Sequence, residues 1–351
     1  MSEPDGRAQD RAAAAVELTT VADDAATFHV RDGGGDVRVD ELIGLEPDTS
    51  YEHGGVAFRT LPRPAGALRT RLGTVNDVHF GETEAGRVED YPEGPILRVP
   101  PDAEPYPETM NRAAATELAA ADLDAVIVKG DLTTSADPDE FAAFDDVYQS
   151  TFGDRLHVVR GNHDAVAGRT SRTGDAWIEL DGVAVALLDT VIPDAPSGTL
   201  RPEQLDWLDA RAASSTVPVL VMGHHQQWIG GTRDPAYFGL DPDASDALTA
   251  VVTRRPAIVA YAAGHTHRHR VRPMANGVPS IEVGCVKDFP GTWAEYRVHD
   301  GGILQVVHRL SAPDALRWSE SCRVLYSDFG LDYVAYALGR LEDRCFAIPL
   351  R

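Results

Sequence analysis

Five short apolar runs in this chain each end in a cluster of Gly, Asp, Asn and His, side chains that bind metal ions and carry protons. The run 72–75 leads to Asn76-Asp77-Val78-His79, and the run 126–128 leads to Gly130-Asp131. The run 157–159 leads to Gly161-Asn162-His163-Asp164. The runs 219–222 and 258–261 lead to Gly223-His224-His225 and Gly264-His265-Thr266-His267. Singly, most of these are turn signals, because Asn, Asp and Gly suit turns on their own account. Together they describe ligands gathered beyond the carboxyl ends of strands, where open α/β sheets bind their ligands. Imidazole suits first-row ions such as Zn, Fe, Mn or Ni, and carboxylate suits harder ions such as Mn. A carboxylate can also bridge two ions. Two ions ~3.5–4 Å apart clamp the attacking and leaving oxygens of an in-line displacement and bring the pKa of water towards ~7. Phosphate-ester hydrolysis, which enzymes accelerate by as much as ~10²¹-fold, rewards such a clamp.

The elements that must hold these clusters alternate in type. Strand-like runs occur at 71–76, 124–129, 156–160, 183–189, 217–222 and 257–262. Helical stretches occur at 108–121, 137–149, 202–213 and 243–253. In the third helix Pro202 suits the first turn, and Leu205, Leu208 and Ala212 share a face. Two further strands, near 293–298 and 303–309, close an α/β region. Residues 16–62 pattern as β: Ala26, Phe28 and Val30 alternate, Asp32-Gly33 turns, and Val37 and Val39 alternate again. Leu45-Glu46-Pro47-Asp48-Thr49-Ser50-Tyr51 resembles the L-x-P-x-T-x-Y corner of fibronectin type III domains. There a Tyr hydroxyl bonds back to upstream backbone. A complete sandwich of that kind needs roughly 100 residues, so a truncated module packed on its neighbour is expected. The division that follows is a disordered 1–15, a small β module at 16–65, a catalytic domain at 66–310 and a helical tail at 311–351 around Tyr333, Tyr336 and Leu338.

Composition narrows the partners. With 43% hydrophobic and 25% charged residues, a chain of 351 residues can bury a core. A formal charge of −23 repels polyanions, which argues against nucleic acid as a partner. A small anionic substrate is compatible with that charge if metal ions supply local positive potential. No apolar stretch approaches the ~18 residues that cross a bilayer, so no membrane partner is expected. The N-terminus has no long apolar segment of the signal-peptide kind, and a cytoplasmic location is expected. Cys285, Cys322 and Cys345 are odd in number and widely spaced, which predicts free, buried thiols. Lysine occurs only at Lys129 and Lys287, a bias that carries no functional weight in the sequence alone.

The ordered set D-x-H, G-D, G-N-H-D, G-H and G-H-x-H, spread over about 68–310, resembles the calcineurin-like metallophosphoesterases. It is most like the bacterial class III cyclic-nucleotide phosphodiesterase branch. The resemblance implies a four-layer αββα sandwich behind the small β module. It implies two metal ions per subunit, Mn/Fe or Zn. Asp77, His79 and His267 would hold the first, Asn162, His224 and His265 the second, and Asp131 would bridge them. A bridging hydroxide would attack phosphorus in line. His163 would stand by the leaving oxygen as proton donor or charge stabiliser, and Asp164 would orient His163.

The implied substrate is a small-molecule phosphodiester resembling a cyclic nucleotide, with a broad phosphomonoesterase as the alternative. A nuclease is disfavoured by the acidic balance. A non-catalytic scaffold on the same fold is disfavoured by the intact ligand set. Two positions depart from the family. Thr134 stands where many members carry an acid or Tyr, and purple acid phosphatases, which need that Tyr, have D-x-G instead of D-x-H. Gln226-Gln227 follow the His pair where phosphodiesterase relatives often have prolines, which bears on the substrate wall. His225, Trp228 and His269 are tentative substrate contacts. His29, His53, His157, His299 and His308 read as strand or surface residues. Oligomeric state is open, a homodimer being one option.

Overall fold

The structure is a computed structural model that describes residues 15–33, 36–88, 94–169, 171–234 and 237–350. The disorder expected for 1–15 falls outside these residues except at Ala15, which opens the first strand. The N-terminal module holds β1 (Ala15–Val21), β2 (Ala25–Arg31), β3 (Val37–Ile43), β4 (Ser50–His53) and β5 (Val56–Arg59). Next come β6 (Leu68–Val75), α1 (Tyr106–Ala120), β7 (Ala125–Lys129), α2 (Pro138–Phe144), α3 (Ser150–Phe152) and β8 (Leu156–Val159). Then follow β9 (Ala176–Leu180), β10 (Val183–Leu188), α4 (Pro202–Ser214), β11 (Val219–Gly223), α5 (Pro242–Arg254) and β12 (Ile258–Ala263). The remainder is β13 (Arg270–Pro273), β14 (Pro279–Glu282), β15 (Thr292–His299), β16 (Gly302–Arg309), α6 (Pro313–Ser321), α7 (Tyr333–Leu338), α8 (Leu341–Arg344) and β17 (Phe346–Pro349).

Two six-stranded sheets carry the body, in the orders β13-β14-β12-β11-β10-β9 and β17-β16-β15-β6-β7-β8. In the first, β10, β11, β12 and β14 run parallel. In the second, β6, β7 and β8 run parallel and β15 is antiparallel to β6. Every residue of β7 and β11 is buried, as expected of parallel strands covered on both faces. Leu72, Ile127 and Tyr296 meet Val185, Leu220 and Ala260 in the core between the sheets. Helix α1 packs on the outer face of β6 and β7 through Met110, Ala114 and Leu118. Helices α4 and α5 cover the other sheet through Leu208 and Leu248. This is the αββα sandwich.

The module closes the part of the second sheet that α1 leaves bare. Phe28, Val30 and Phe58 share a core with Leu304 and Val306 of β16. The expected corner is present: the Glu46 N–H donates to the Tyr51 hydroxyl at 2.9 Å, and the Tyr51 ring stacks on Phe58. The module thus completes its core with Leu304, Val306 and Cys345 of the body, which is why a half-length sandwich suffices.

Several elements depart from expectation. The tail is not wholly helical, because β17 pairs antiparallel with β16 and forms the sheet edge. Its proline-bounded four residues carry too short a period to read from sequence. The helix expected at 137–149 is interrupted, α2 passing through a π-helical turn at 145–149 into α3. Strands β9, β13 and β14 were absent from the expected set. Each is short, and Pro273 and Pro279 flank or end two of them. All three cysteines are free and buried.

Candidate metal centre

All five clusters lie at carboxyl ends of parallel strands. Asp77 and His79 follow β6, Asp131 follows β7, and Asn162 and His163 follow β8, all in one sheet. His224 follows β11, and His265 and His267 follow β12, in the other. The centre therefore bridges the tops of two facing sheets. Asp77, His79, Asp131, His265 and His267 all adopt left-handed backbone, with φ of 55°, 49°, 50°, 69° and 53°. Asp and His tolerate this region better than most residues, but each still costs about 1–3 kcal/mol, strain typical of functional sites. Two glycines make room. A Cβ on Gly130 (φ 86°) would strike the His224 ring, and one on Gly161 would strike Asp131.

The donor atoms converge. His224 Nε2 lies 3.1 Å from Asn162 Oδ1, 3.2 Å from His265 Nδ1 and 3.3 Å from Asp131 Oδ2. The same Asp131 Oδ2 lies 3.3 Å from His79 Nε2, which has no hydrogen-bond partner although buried. Ligand atoms of Asp77, His79 and His267 lie within 4.8 Å of one another. The second ring nitrogens are tied down, as metal-binding histidines require. His224 Nδ1–H donates to the Lys129 carbonyl at 2.9 Å, and His265 Nε2–H donates to the Phe238 carbonyl at 2.7 Å. An orphaned imidazole nitrogen facing a carboxylate and two further imidazole or carboxylate donors fits a bound ion. The pocket of three neutral or anionic donors around His224 fits a second.

Electrostatics suit the same ions. Burial, aided by Lys287, holds the His79 imidazole down to about 4, and burial holds His265 down to about 3. Both are thus neutral ligands at pH 7. Burial pushes the Asp77 carboxyl up to about 6, against the pull of His224. At His224 burial is outweighed by Asp131 and Asp77, and its pKa rises to about 9. A protonated His224 thus offsets the carboxylates it faces, and an ion held by His224 would take the place of that proton.

His163 sits on the same rim. Its backbone N–H donates to Asp131 Oδ1 at 3.0 Å, and its ring is 4.8 Å from that of His79. Its Nδ1 lies 2.9 Å from the Thr134 carbonyl, which can only accept, so Nδ1 carries a proton. Asp164 does not orient this ring as expected. Its carboxylate accepts from the N–H groups of Leu132, Thr133 and Gly161 and from the Thr133 hydroxyl. It ties the loop after β7 to the loop after β8, so its effect on His163 is through the backbone.

Two of the candidate substrate contacts, His225 and His269, are buried. His269 is 2% exposed, with Nδ1 accepting from Gly284 N–H and Nε2 facing the Thr292 hydroxyl, so neither nitrogen is free for a substrate. His225 is fully buried behind His265, its Nδ1 on the Thr190 hydroxyl. Trp228 has its backbone tied to Ser245 of α5 and its ring under Arg233. The five histidines read as strand or surface residues all lie in strands, and His29 and His299 are buried there.

Residues that the motifs do not name complete the centre. Asp288 Oδ2 lies 3.8 Å from His267 Nδ1 and has no hydrogen-bond partner, while its Oδ1 accepts from Tyr333 and Cys285. Asn76 donates to Asp77 and to the carbonyls of Val283 and Gly284. Glu140, the far half of a capping box with Asp137, accepts from Thr134 N–H and Ser135 N–H and shapes the loop that holds His163. That D-x-x-E spacing was a signal the sequence offered. Both lysines of the chain are buried near the centre: Lys287 pairs with Glu82, and Lys129 reaches the Thr74 hydroxyl.

With this fold and this ligand rim in place, the comparisons agree. The chain belongs to the calcineurin-like phosphoesterase family, whose profile matches residues 70–269. It is 29% identical over 151 residues to a probable cyclic nucleotide phosphodiesterase of Synechococcus sp., covering 41% of this chain and 58% of that protein. A probable cyclic nucleotide phosphodiesterase of Rhodococcus erythropolis is 28% identical over 168 residues, covering 44% of this chain and 55% of that protein. The match thus spans little more than half the length of these curated relatives. Among solved structures, a dimetal phosphatase from Danio rerio superposes with a TM-score of 0.53 at 15% identity, over 68% of this chain and 96% of that one. At that identity the likeness speaks for the fold alone. No helix among the described residues is long and apolar enough to cross a membrane.

Proposed function

We propose that this chain is a dimetal phosphodiesterase acting on a small diester of the cyclic-nucleotide kind. The observation that carries the reading is the single oxygen, Asp131 Oδ2, placed 3.3 Å from both His79 Nε2 and His224 Nε2. An anionic oxygen shared by two imidazole-rich donor sets is what a bridging ligand requires. Asp77, His79 and His267 would hold one ion, Asn162, His224 and His265 the other. Bound ions of this kind supply Lewis acidity and hydroxide at neutral pH. The chain's own part is positional. Asp131 orders the His163 backbone as well as the ligands, and the Thr134 carbonyl fixes the His163 ring, which as imidazolium would pass its Nε2 proton to the leaving oxygen.

The charge around the rim favours a diester over a monoester. The cavity beside His163, about 700 Å³, is lined by Glu82, Glu84 and Asp194, with Arg87 the one cationic side chain among its described lining residues. Arg87 is paired with Glu84, and Lys287 with Glu82. With those cations already engaged by carboxylates, neither is free to balance the second negative charge of a dianionic monoester. The curated relatives bearing the phosphodiesterase name support the same choice. The test is hydrolysis of bis-p-nitrophenyl phosphate beside p-nitrophenyl phosphate with Mn²⁺, and with EDTA as control. Preference for the diester, lost with EDTA, is expected. Preference for the monoester would replace this reading with a phosphomonoesterase.

A further inference from the structure

The metal ligands His265 and His267 also form one wall of a separate cavity of about 240 Å³. Phe238, Tyr326, Leu331 and Tyr336 form the other walls. Among the described residues that line it, none is an acid, a lysine or an arginine. That sets it apart from the acidic cavity on the His163 side. We propose that this aromatic cavity seats the flat heterocyclic base of a nucleotide ester whose phosphate lies on the metal ligands.

The walls are built in advance. The His265 ring donates through Nε2 to the Phe238 carbonyl, and the Phe238 ring stands 5.3 Å from it at 39°. Gln226 holds this segment from beneath: its carbonyl accepts from Leu240 N–H and its amide donates to the Tyr237 hydroxyl. The Gln226 departure from the family pattern thus serves the wall that carries Phe238. On the opposite side the Tyr336 hydroxyl donates to the Thr266 carbonyl at 3.0 Å, between the two ligand histidines, while Arg268 lies over its ring. Tyr333, buried next to it, is anchored on Asp288. The C-terminal segment therefore contributes a substrate wall as well as packing.

Two large apolar side chains remain exposed at the mouth, Phe238 at 44% and Leu331 at 38%. Aromatic side chains and an exposed apolar rim beside a phosphate site match an aromatic group on the phosphate better than a sugar or a second phosphate. The volume is below the roughly 300–1,000 Å³ of sites that enclose a whole drug-sized ligand, so it takes one ring system. Stacking on such walls is tolerant of the particular base, because every base presents a π-face.

The inference rests on the phosphoesterase reading but is tested by binding, independently of turnover. The Mn²⁺-loaded protein is titrated calorimetrically with AMP, ribose 5-phosphate and inorganic phosphate. AMP should bind about tenfold more tightly than ribose 5-phosphate, the advantage that a stacked base confers. In Phe238→Ala and Leu331→Ala, both at exposed positions, that gap should close while the Kd for phosphate stays unchanged. Equal affinities for AMP and ribose 5-phosphate in the unaltered protein would overturn the proposal, as would a gap that survives the double substitution. A retained AMP gap without hydrolysis of any diester would uphold the base site and sink the diesterase reading instead.

Discussion

The ligand rim and the seam beneath the N-terminal module follow opposite rules. At the rim, five ligands hold left-handed backbone and buried carboxylates face buried imidazoles. At the seam, Phe28 and Phe58 pack edge to face over Leu304 and Val306, and Arg297 pairs with Asp23 and Asp24. One region spends conformational energy to aim polar atoms at a common point. The other buries apolar area and pairs Arg297 with two carboxylates. The contrast teaches that this fold keeps its strain at one edge and its stability elsewhere, so the two should respond to different perturbations.

The largest effect belongs at the shared oxygen. Asp131→Asn should lower affinity for both ions and remove turnover beyond the ~10³-fold that loss of a single charge-stabilising donor costs. Elemental analysis with two ions retained and activity preserved would break the bridging role. Next is His163→Ala, expected to cut kcat by ~10²–10⁴-fold with metal content intact. Loss of metal in that variant would make His163 a ligand. Asp288→Asn tests the outer support of His267, and metal affinity measured by titration should fall about 10–100-fold. An unchanged affinity would reduce Asp288 to packing.

The seam should answer to pH. Burial, with Arg309 nearby, brings the His29 pKa from 6.5 to about 3. Below pH 6.5 the unfolded chain takes up a proton that the folded chain refuses until about pH 3. This group's contribution to stability is therefore complete above pH 6.5 and declines as the pH falls towards 3. Denaturant midpoints of EDTA-treated protein should drop more steeply on acidification than those of His29→Gln, and equal slopes would dismiss His29 as the cause. The smallest effect is Tyr51→Phe, which removes the corner hydrogen bond to Glu46 and should cost about 1 kcal/mol with kcat unchanged.

Much of this centre was legible from local pattern. Asp77, Asp131, Asn162 and His224 each follow a short apolar run, and a parallel strand ending in a turn leaves that same signature. The corner motif around Tyr51 was legible for a similar reason, since its bond spans only five residues. Asp288 was not. It sits in a loop with no period, and its relation to His267 exists only because β12 and β14 lie side by side. The tentative roles of His225 and His269 failed because nearness in sequence to a ligand does not say which way a side chain points. Both are turned into the protein.

Taken alone, the sequence determined the candidate ligand types, their order and their placement at strand ends, because turn chemistry and hydrophobic period act over a few residues. Tertiary structure decided that three clusters rise from one sheet and two from the other. It brought Asp131 between His79 and His224, turned β17 from tail into sheet edge, and set the tyrosines of the last segment against the ligand histidines. Those relations depend on packing between residues far apart in the chain, and no local pattern encodes them.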